Sequence, residues 1–200
     1  AILKGYVETL QMKRDSLSEN EKQEYLQITH DNVDKLSKLI NQLFEYSKLE
    51  AEQVVPVKEP FSITELSHDL IAKFNVLAEK KQITLQLDKP EENNMVFADV
   101  SLVERALQNL IENAIKYTEP KGKVTLSLQK KGKNIEINIT DTGTGIPVNE
   151  QPFIFDRYKQ VNESAKKQGS GLGLAIVKKI MELHDTTITV LSKPKEGSSF

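Results

Sequence analysis

The 200 residues carry 27 Lys and Arg against 29 Asp and Glu, a net charge of −2, with both signs spread along the chain, so no basic face suited to nucleic acid or an acidic membrane is expected. The 38% apolar share can build a core, and the absence of cysteine excludes disulfides, thiolate metal sites and cysteine catalysis. His30, His68 and His184 are too scattered for a zinc site, and no run reaches the roughly 18 apolar residues of a membrane span; the expected setting is cytosolic, with membrane contact only through segments outside this chain.

The first 50 residues read as two amphipathic helices. Leu3, Tyr6, Val7, Leu10 and Leu17 recur at helical spacing, and Ser18-Glu19-Asn20-Glu21 has the form of a capping box that opens a second helix. That helix carries Ile28, Val33, Leu36, Leu39, Ile40, Leu43, Phe44 and Leu49 on one stripe. Such a stripe must be covered, either by a second copy in a four-helix bundle or by the downstream domain. Pro56 and Pro60 mark a linker, which divides the chain into a hairpin over 1–55 and a second domain over 56–200. Ala1 begins in mid-helix and Phe200 ends where an apolar strand is expected to begin, so both ends read as cut from something larger.

Helices and strands then mix. Ser62 to Glu65 caps a helix running to about Ala78, residues 83–87 alternate as a strand, and Met95 to Ala98 forms a short one. Ser101 to Glu104 caps a helix to about Ile115. Residues 124–128 and 135–139 form a hairpin around Lys131 to Asn134; an irregular Gly-rich stretch follows from Thr142 to Gln168. Leu172 to Leu183 is helical and Thr187 to Leu191 a strand. The pattern predicts an α+β fold: a two-helix antiparallel hairpin followed by a sandwich with helices on one face of a mixed sheet.

Three segments carry chemistry. On the Ser101 helix, Asn109, Asn113 and Lys116 fall on one flank of the apolar arc, at the border of core and surface. An amide oxygen there can coordinate a hard cation such as Mg²⁺, and a lysine one turn on can meet a phosphate. A plain solvated flank is the other reading. Asp141-Thr142-Gly143-Thr144-Gly145-Ile146 places a carboxylate at a strand end, before two glycines that allow close ligand approach. It can accept from an exocyclic amine such as adenine's, or be a simple turn. Gly169-Ser170-Gly171-Leu172-Gly173-Leu174 opens an apolar helix whose first N–H groups suit an anion. Neither the P-loop spacing nor a dinucleotide fingerprint is present.

In order and spacing these segments resemble the ATP-binding domain of sensor histidine kinases, in the Bergerat-fold superfamily. Asn109 to Thr118 is similar to the family's N box, Asp141 to Ile146 to its G1 box, Ile154 to Tyr158 to its F box and Gly169 to Leu174 to its G2 box. Gly197 to Phe200 resembles the closing element, and Leu36 to Glu50 the second helix of the dimerisation hairpin. The resemblance implies that Asn113 ligates Mg²⁺ with Asn109 in support, that Lys116 contacts phosphate and that Tyr117 lines the nucleotide. Asp141 would take the adenine amine, with Gly143, Gly145 and Ile146 shaping that end. Gly169, Gly171, Leu172, Gly173 and Leu174 would close on the phosphates after a lid over about 161–168. A homodimer through the hairpin and a response-regulator receiver domain are the implied partners.

Departures from the family pattern are informative. Gln160 stands where many relatives have arginine, leaving Arg157 or Lys159 as substitutes, and Asp185-Thr186 replaces a common Gly-Gly. The acceptor histidine of the family, followed by an acid and a Thr/Asn-Pro pair, has no counterpart before Leu17. His30-Asp31 lies on the second helix and lacks the proline motif; with His68 and His184 it is expected on the surface. The resemblance thus implies a kinase core that transfers the γ-phosphoryl group of ATP to a histidine supplied elsewhere, then to a regulator aspartate. Two alternatives are an ATP-hydrolysing machine of gyrase or chaperone type and a nucleotide-regulated scaffold. The first needs a glutamate base where Asn109 stands.

Overall fold

The computed structural model describes residues 2–12, 16–51, 53–88, 94–159 and 170–200. They divide into two compact units, Ala1–Glu45 and Tyr46–Phe200. Among the described residues no helix is long and apolar enough to cross a membrane.

The first unit contains α1 (Ile2–Met12) and most of α2 (Glu19–Glu50). The expected capping box forms: Ser18 Oγ accepts from the Glu21 N–H at 3.3 Å, while the Glu21 carboxylate takes the Ser18 N–H at 2.8 Å. Leu17 lies in the bend before α2. Tyr6 and Tyr25 bring their rings to 5.3 Å between centroids. Along α2 the stripe made by Val33, Leu36, Leu39, Ile40, Leu43 and Phe44 stays exposed, from 40% to 65% of each residue.

In the second unit β1 (Glu59–Ser62) pairs antiparallel with β3 (Met95–Ala98) as a separate ribbon. Proline at position 60 weakened the strand signal, yet β1 has a partner on one side only, where a missing N–H is tolerated. Helix α3 (Ile63–Lys80) starts where expected, with Ser62 Oγ accepting from the Glu65 N–H. The main sheet runs in the order β2 (Thr84–Leu87), β4 (Lys123–Lys131), β5 (Asn134–Asp141), β7 (Gly197–Ser199), β6 (Leu191–Lys193). Only the β2–β4 pair is parallel. Two strand expectations shift: 187–190 is irregular and pairing begins at Leu191, while the strand expected from Phe200 begins at Gly197.

Strand parity decides what faces inward. Val124, Leu126, Leu128 and Ile139 form one core with α3, α4 (Val100–Tyr117) and α5 (Gly173–Leu183). Helix α4 starts a residue before Ser101, and its N-cap is Asp99, whose Oδ1 accepts from the Leu102 N–H at 3.0 Å. The other carboxylate oxygen takes the Val57 N–H at 2.8 Å, so one side chain serves both a helix end and the linker strand. Burial works against this charge, but backbone donors at Leu102, Val57 and Ser101 and the nearby His184 outweigh it and hold the carboxyl below its ordinary value. His184 is not the surface residue expected. Its Nε2 accepts from the Asp99 N–H at 3.0 Å, and its Nδ1 lies 2.8 Å from the Ile180 carbonyl. His30 and His68 are exposed.

Replacing Asp99 by alanine removes the cap and strands the Val57 donor. The expected cost is about 1–2 kcal/mol of unfolding free energy, read as a lower denaturation midpoint with an unchanged slope in urea.

Candidate functional site: a cleft along α4

The site is organised by α4, whose flank meets the start of α5 near its middle and the Asp141–Ile146 turn near its end. Asn109 is buried at 4% exposure, and its amide N–H₂ bonds the Arg105 carbonyl one turn back at 3.0 Å. Its oxygen faces Gly173: a β-carbon there would lie 3.1 Å from Asn109 Oδ1 and 3.9 Å from Asn113 Nδ2. Glycine at 173 therefore lets the first turn of α5 approach both asparagines. Asn113 is half-buried, and among the described residues its side chain has no hydrogen bond. Lys116 Nζ lies 3.0 Å from the Tyr117 hydroxyl and 4.6 Å from that ring's centroid.

The other end of the cleft is set by β5. Register pairs Val124 with Asp141, and Asp141 continues the inward parity of Ile135, Ile137 and Ile139, so the strand carries a carboxylate into the core edge at 5% exposure. Burial raises the Asp141 carboxyl above its ordinary value, against the opposing effect of the Gly143 and Ser198 backbone donors. The Gly143 N–H reaches Asp141 Oδ1 at 2.8 Å. A β-carbon at Gly143 would sit 2.4 Å from the Tyr117 carbonyl, which itself accepts from the Thr144 N–H at 3.2 Å. Gly145 has a φ of +66°, and a β-carbon there would stand 1.9 Å from the Lys193 carbonyl, so its role is to fit the turn against β6.

Asn109, Asn113 and Gly173 thus come together at one place, and Tyr117, Asp141 and Gly143 at another. Gly171 takes a φ of +70° and its carbonyl accepts from the Tyr158 N–H at 2.9 Å. Leu172 is wholly buried, an anchor for α5, and Leu174 packs half-buried against the core. Gly169, Gln160 and the lysines at 166 and 167 lie outside the described residues. Neither cationic substitute is free: Arg157 contacts the Glu50 carboxylate at 3.1 Å and stacks over Tyr46, while Lys159 contacts Glu150 at 2.9 Å and lies over Phe153.

Sequence reasoning passed over three supports of this cleft. Lys81 Nζ donates to the Ile115 and Lys116 carbonyls at 2.9 and 3.0 Å, closing the carboxyl end of α4. Gln151 and Ser192 bracket the peptide group of Ile146. Lys81 and Ser192 act across long sequence separations, and Gln151 ties a residue five positions back to β6; no local pattern announces them.

A helical hairpin followed by a mixed sheet, with polar side chains where a long helix meets a glycine-opened one, defines an α/β sandwich. The family model described as histidine kinase-, DNA gyrase B-, and HSP90-like ATPase matches residues 98–200, and the His Kinase A (phospho-acceptor) model matches 1–52. The chain belongs to this ATPase family, and the two matches in that order make it a sensor histidine kinase core. The circadian input-output histidine kinase CikA of Synechococcus elongatus is 36% identical over 181 residues, covering 88% of this chain and 24% of its own length. The chain spans about half or less of the curated relatives most similar to it, 24% of CikA and 52% of the adaptive-response sensory kinase SasA of Crocosphaera subtropica. The crystal structure of the histidine kinase ThkA in complex with the response regulator protein TrrA has the same fold, with a TM-score of 0.80 at 24% identity over 100% of this chain and 55% of that one. Full-length ShkA in complex with AMPPNP gives 0.77 at 23% over 94% and 39%.

The Asp141 environment yields a prediction. Its folded-state pKa is raised, so its favourable contribution to stability is fully present below the unfolded value and lost as pH rises through the folded one. Asp141→Asn keeps an acceptor for Gly143 without the charge. The variant should melt at a higher temperature than wild type at neutral pH without ligand, and the difference should shrink on acidification, as thermal scans between pH 7 and 4 will register.

Proposed function

We propose that this chain is the Mg-ATP-binding and dimerising core of a sensor histidine kinase, whose phosphoryl acceptor is a histidine outside these 200 residues. The observation that carries the reading is the Asp141 carboxylate, held inside the cleft with only backbone donors to offset its burial. A desolvated carboxylate of this kind gains most from a further N–H donor, which the exocyclic amine of adenine supplies.

The chain's residues fit the metal as well. Asn113 has a side-chain amide that is uncommitted among the described residues, its Nδ2 on the Gly173 side; its oxygen could serve Mg²⁺, which takes one or two protein oxygens together with phosphate oxygens and water. The ion would neutralise phosphate charge when bound. Asn109 fixes the spacing of α4 and α5 and so supports Asn113. Lys116 adds a positive charge one turn on, Tyr117 lines the cleft, and the first N–H groups of α5, with Gly171 at the turn before them, face the phosphates. Gly143, Gly145 and Ile146 shape the base end, with Gly169, Leu172 and Leu174 completing the phosphate loop.

Catalysis in such a site is positioning and charge stabilisation. The acceptor histidine would lie on the hairpin, and an aspartate of a receiver domain would take the group next; that ThkA was solved in complex with a response regulator protein supports a partner of this kind. The exposed α2 stripe supports a homodimer, because two copies cover it in a four-helix bundle. The working place is the cytosolic side of a sensor anchored by segments outside this chain.

Calorimetric titration tests the pocket. Wild type should bind ATP with Mg²⁺-dependent affinity; Asn113→Ala should lose that dependence, and Asp141→Ala should lose adenine affinity by about tenfold or more. Supplied in trans with a hairpin bearing a histidine-acid-x-x-[Thr/Asn]-Pro segment, the chain should transfer labelled γ-phosphate to it. No heat with adenine nucleotides at millimolar concentration would reject the reading. In a second test, Leu36→Glu combined with Leu43→Glu should turn a sedimenting dimer into a monomer.

A further inference from the structure

The Gly145-Ile146 turn is bound from behind by two side chains whose hydrogen bonds go to the protein. The Ile146 N–H donates to Ser192 Oγ at 2.8 Å, and the Ile146 carbonyl accepts from Gln151 Nε2 at 2.9 Å. Gln151 Nε2 also donates to the Ser192 carbonyl at 2.8 Å, so both amide hydrogens are committed, one to the turn and one to β6. Pro147 follows Ile146 and brings no N–H of its own. The chain then folds back, with the Gln151 N–H reaching the Pro147 carbonyl, which returns Gln151 to the residue five positions earlier.

Ser192 extends the network to the carboxylate. Its Oγ donates to the Gly197 carbonyl at 2.8 Å and lies 3.0 Å from Ser198 Oγ, and Ser198 in turn gives Asp141 a backbone hydrogen bond. The steric surroundings leave little room for adjustment: β-carbons at Gly145 and Gly197 would each come to 1.9 Å from a backbone oxygen, of Lys193 and Asp141. Ile146 and Asp141 are therefore the two ends of one hydrogen-bonded frame. Its linking side chains come from the short 3-10 helix Gln151–Phe153 and from β6.

We infer that Gln151 and Ser192 are positioning residues that set the base end of the nucleotide pocket, and with it the preference for adenine over guanine. The inference rests on the reading of this cleft as an adenine nucleotide site. Losing either residue frees the Ile146 peptide to shift relative to Asp141. The purine edge then meets the Asp141 carboxylate and a turn that are no longer at fixed separation. The phosphate end, built on α4 and α5, has none of these bonds and should be untouched.

The test is calorimetric titration of wild type, Gln151→Ala, Gln151→Met, Ser192→Ala, Ser192→Thr and Asp141→Ala with Mg-ATP, Mg-ADP, adenosine and GTP, each variant first shown to melt cooperatively. Gln151→Met keeps the chain length without the donors, so it serves if Gln151→Ala does not fold. The expected result is a loss of about tenfold in affinity for all three adenine ligands by a common factor. Magnesium dependence should persist, and the preference for ATP over GTP should narrow. Ser192→Thr, which retains the hydroxyl, should restore binding. Unchanged affinity in the Gln151 and Ser192→Ala variants, with wild type binding and Asp141→Ala failing, overturns this inference alone. So does a loss confined to the phosphorylated ligands. Absence of binding by wild type overturns the pocket reading and this inference with it.

Discussion

Everything the cleft does depends on α4 keeping its place, and a helix keeps its place only if its unpaired ends are satisfied. At the amino end Asp99 accepts from Leu102 and Val57 while its own N–H goes to His184 at the end of α5. At the carboxyl end Lys81 reaches the Ile115 and Lys116 carbonyls, and Thr144 donates to that of Tyr117. The cations near the last turn also complement the helix dipole. Pinned at both termini by four other segments, α4 presents Asn109, Asn113 and Tyr117 with little freedom to slide. Preorganisation of that kind is what a site relying on positioning requires.

The cost of the site is visible at Asp141. An apolar residue on the inward parity of β5 would pack with Ile139 and Val124, and the fold would be firmer without a ligand. The strand instead ends in a carboxylate whose charge is disfavoured by burial and only partly offset by two backbone donors. A local rule is broken at the residue to which the proposed function gives the adenine contact. Gly143 and Gly145 belong to the same arrangement: each is required by a neighbouring backbone oxygen that leaves no room for a side chain.

Local chemistry was legible and long-range chemistry was not. Alternation in 124–128 and 135–139 specified the hairpin because the apolar parity is read residue by residue. The capping box at Ser18 formed, and Ser62 capped its helix through its hydroxyl, because their partners are three residues away. Ser101 had the same signature, but Asp99 stood two residues earlier with a carboxylate able to serve Leu102 and Val57 together, and it took the cap. The strand expected over 187–191 slid to Leu191–Lys193, because β6 pairs only with β7 and residues 197–199 set where that pairing begins. His184 looked like any surface histidine since its partner Asp99 is 85 residues away. Motif residues on α4 and in the Asp141 turn could be found by their family pattern; Lys81, Gln151 and Ser192 belong to no such pattern.

The two ends of the cleft are built on different physical terms. The base end is crossed by hydrogen bonds from α4, β6, β7 and the Gln151 turn, so its geometry is fixed before any ligand arrives. The other end depends on the start of α5, where Gly171 in the left-handed region packs against Tyr158 too closely for a side chain and Gly173 stands close against Asn109. Its candidate cations are engaged elsewhere, Arg157 with Glu50 and Lys159 with Glu150, in exposed or half-exposed pairs. The more exposed Arg157 pair is worth only about 0–1 kcal/mol, so under the proposed function a phosphate could compete for Arg157 at small cost, whereas taking Lys159 would strand the buried Glu150 Oε2. Under the proposed function, a base end fixed in advance and a phosphate end whose cations sit in ion pairs would suit a domain that holds its nucleotide by the purine while the other end is handed to an acceptor.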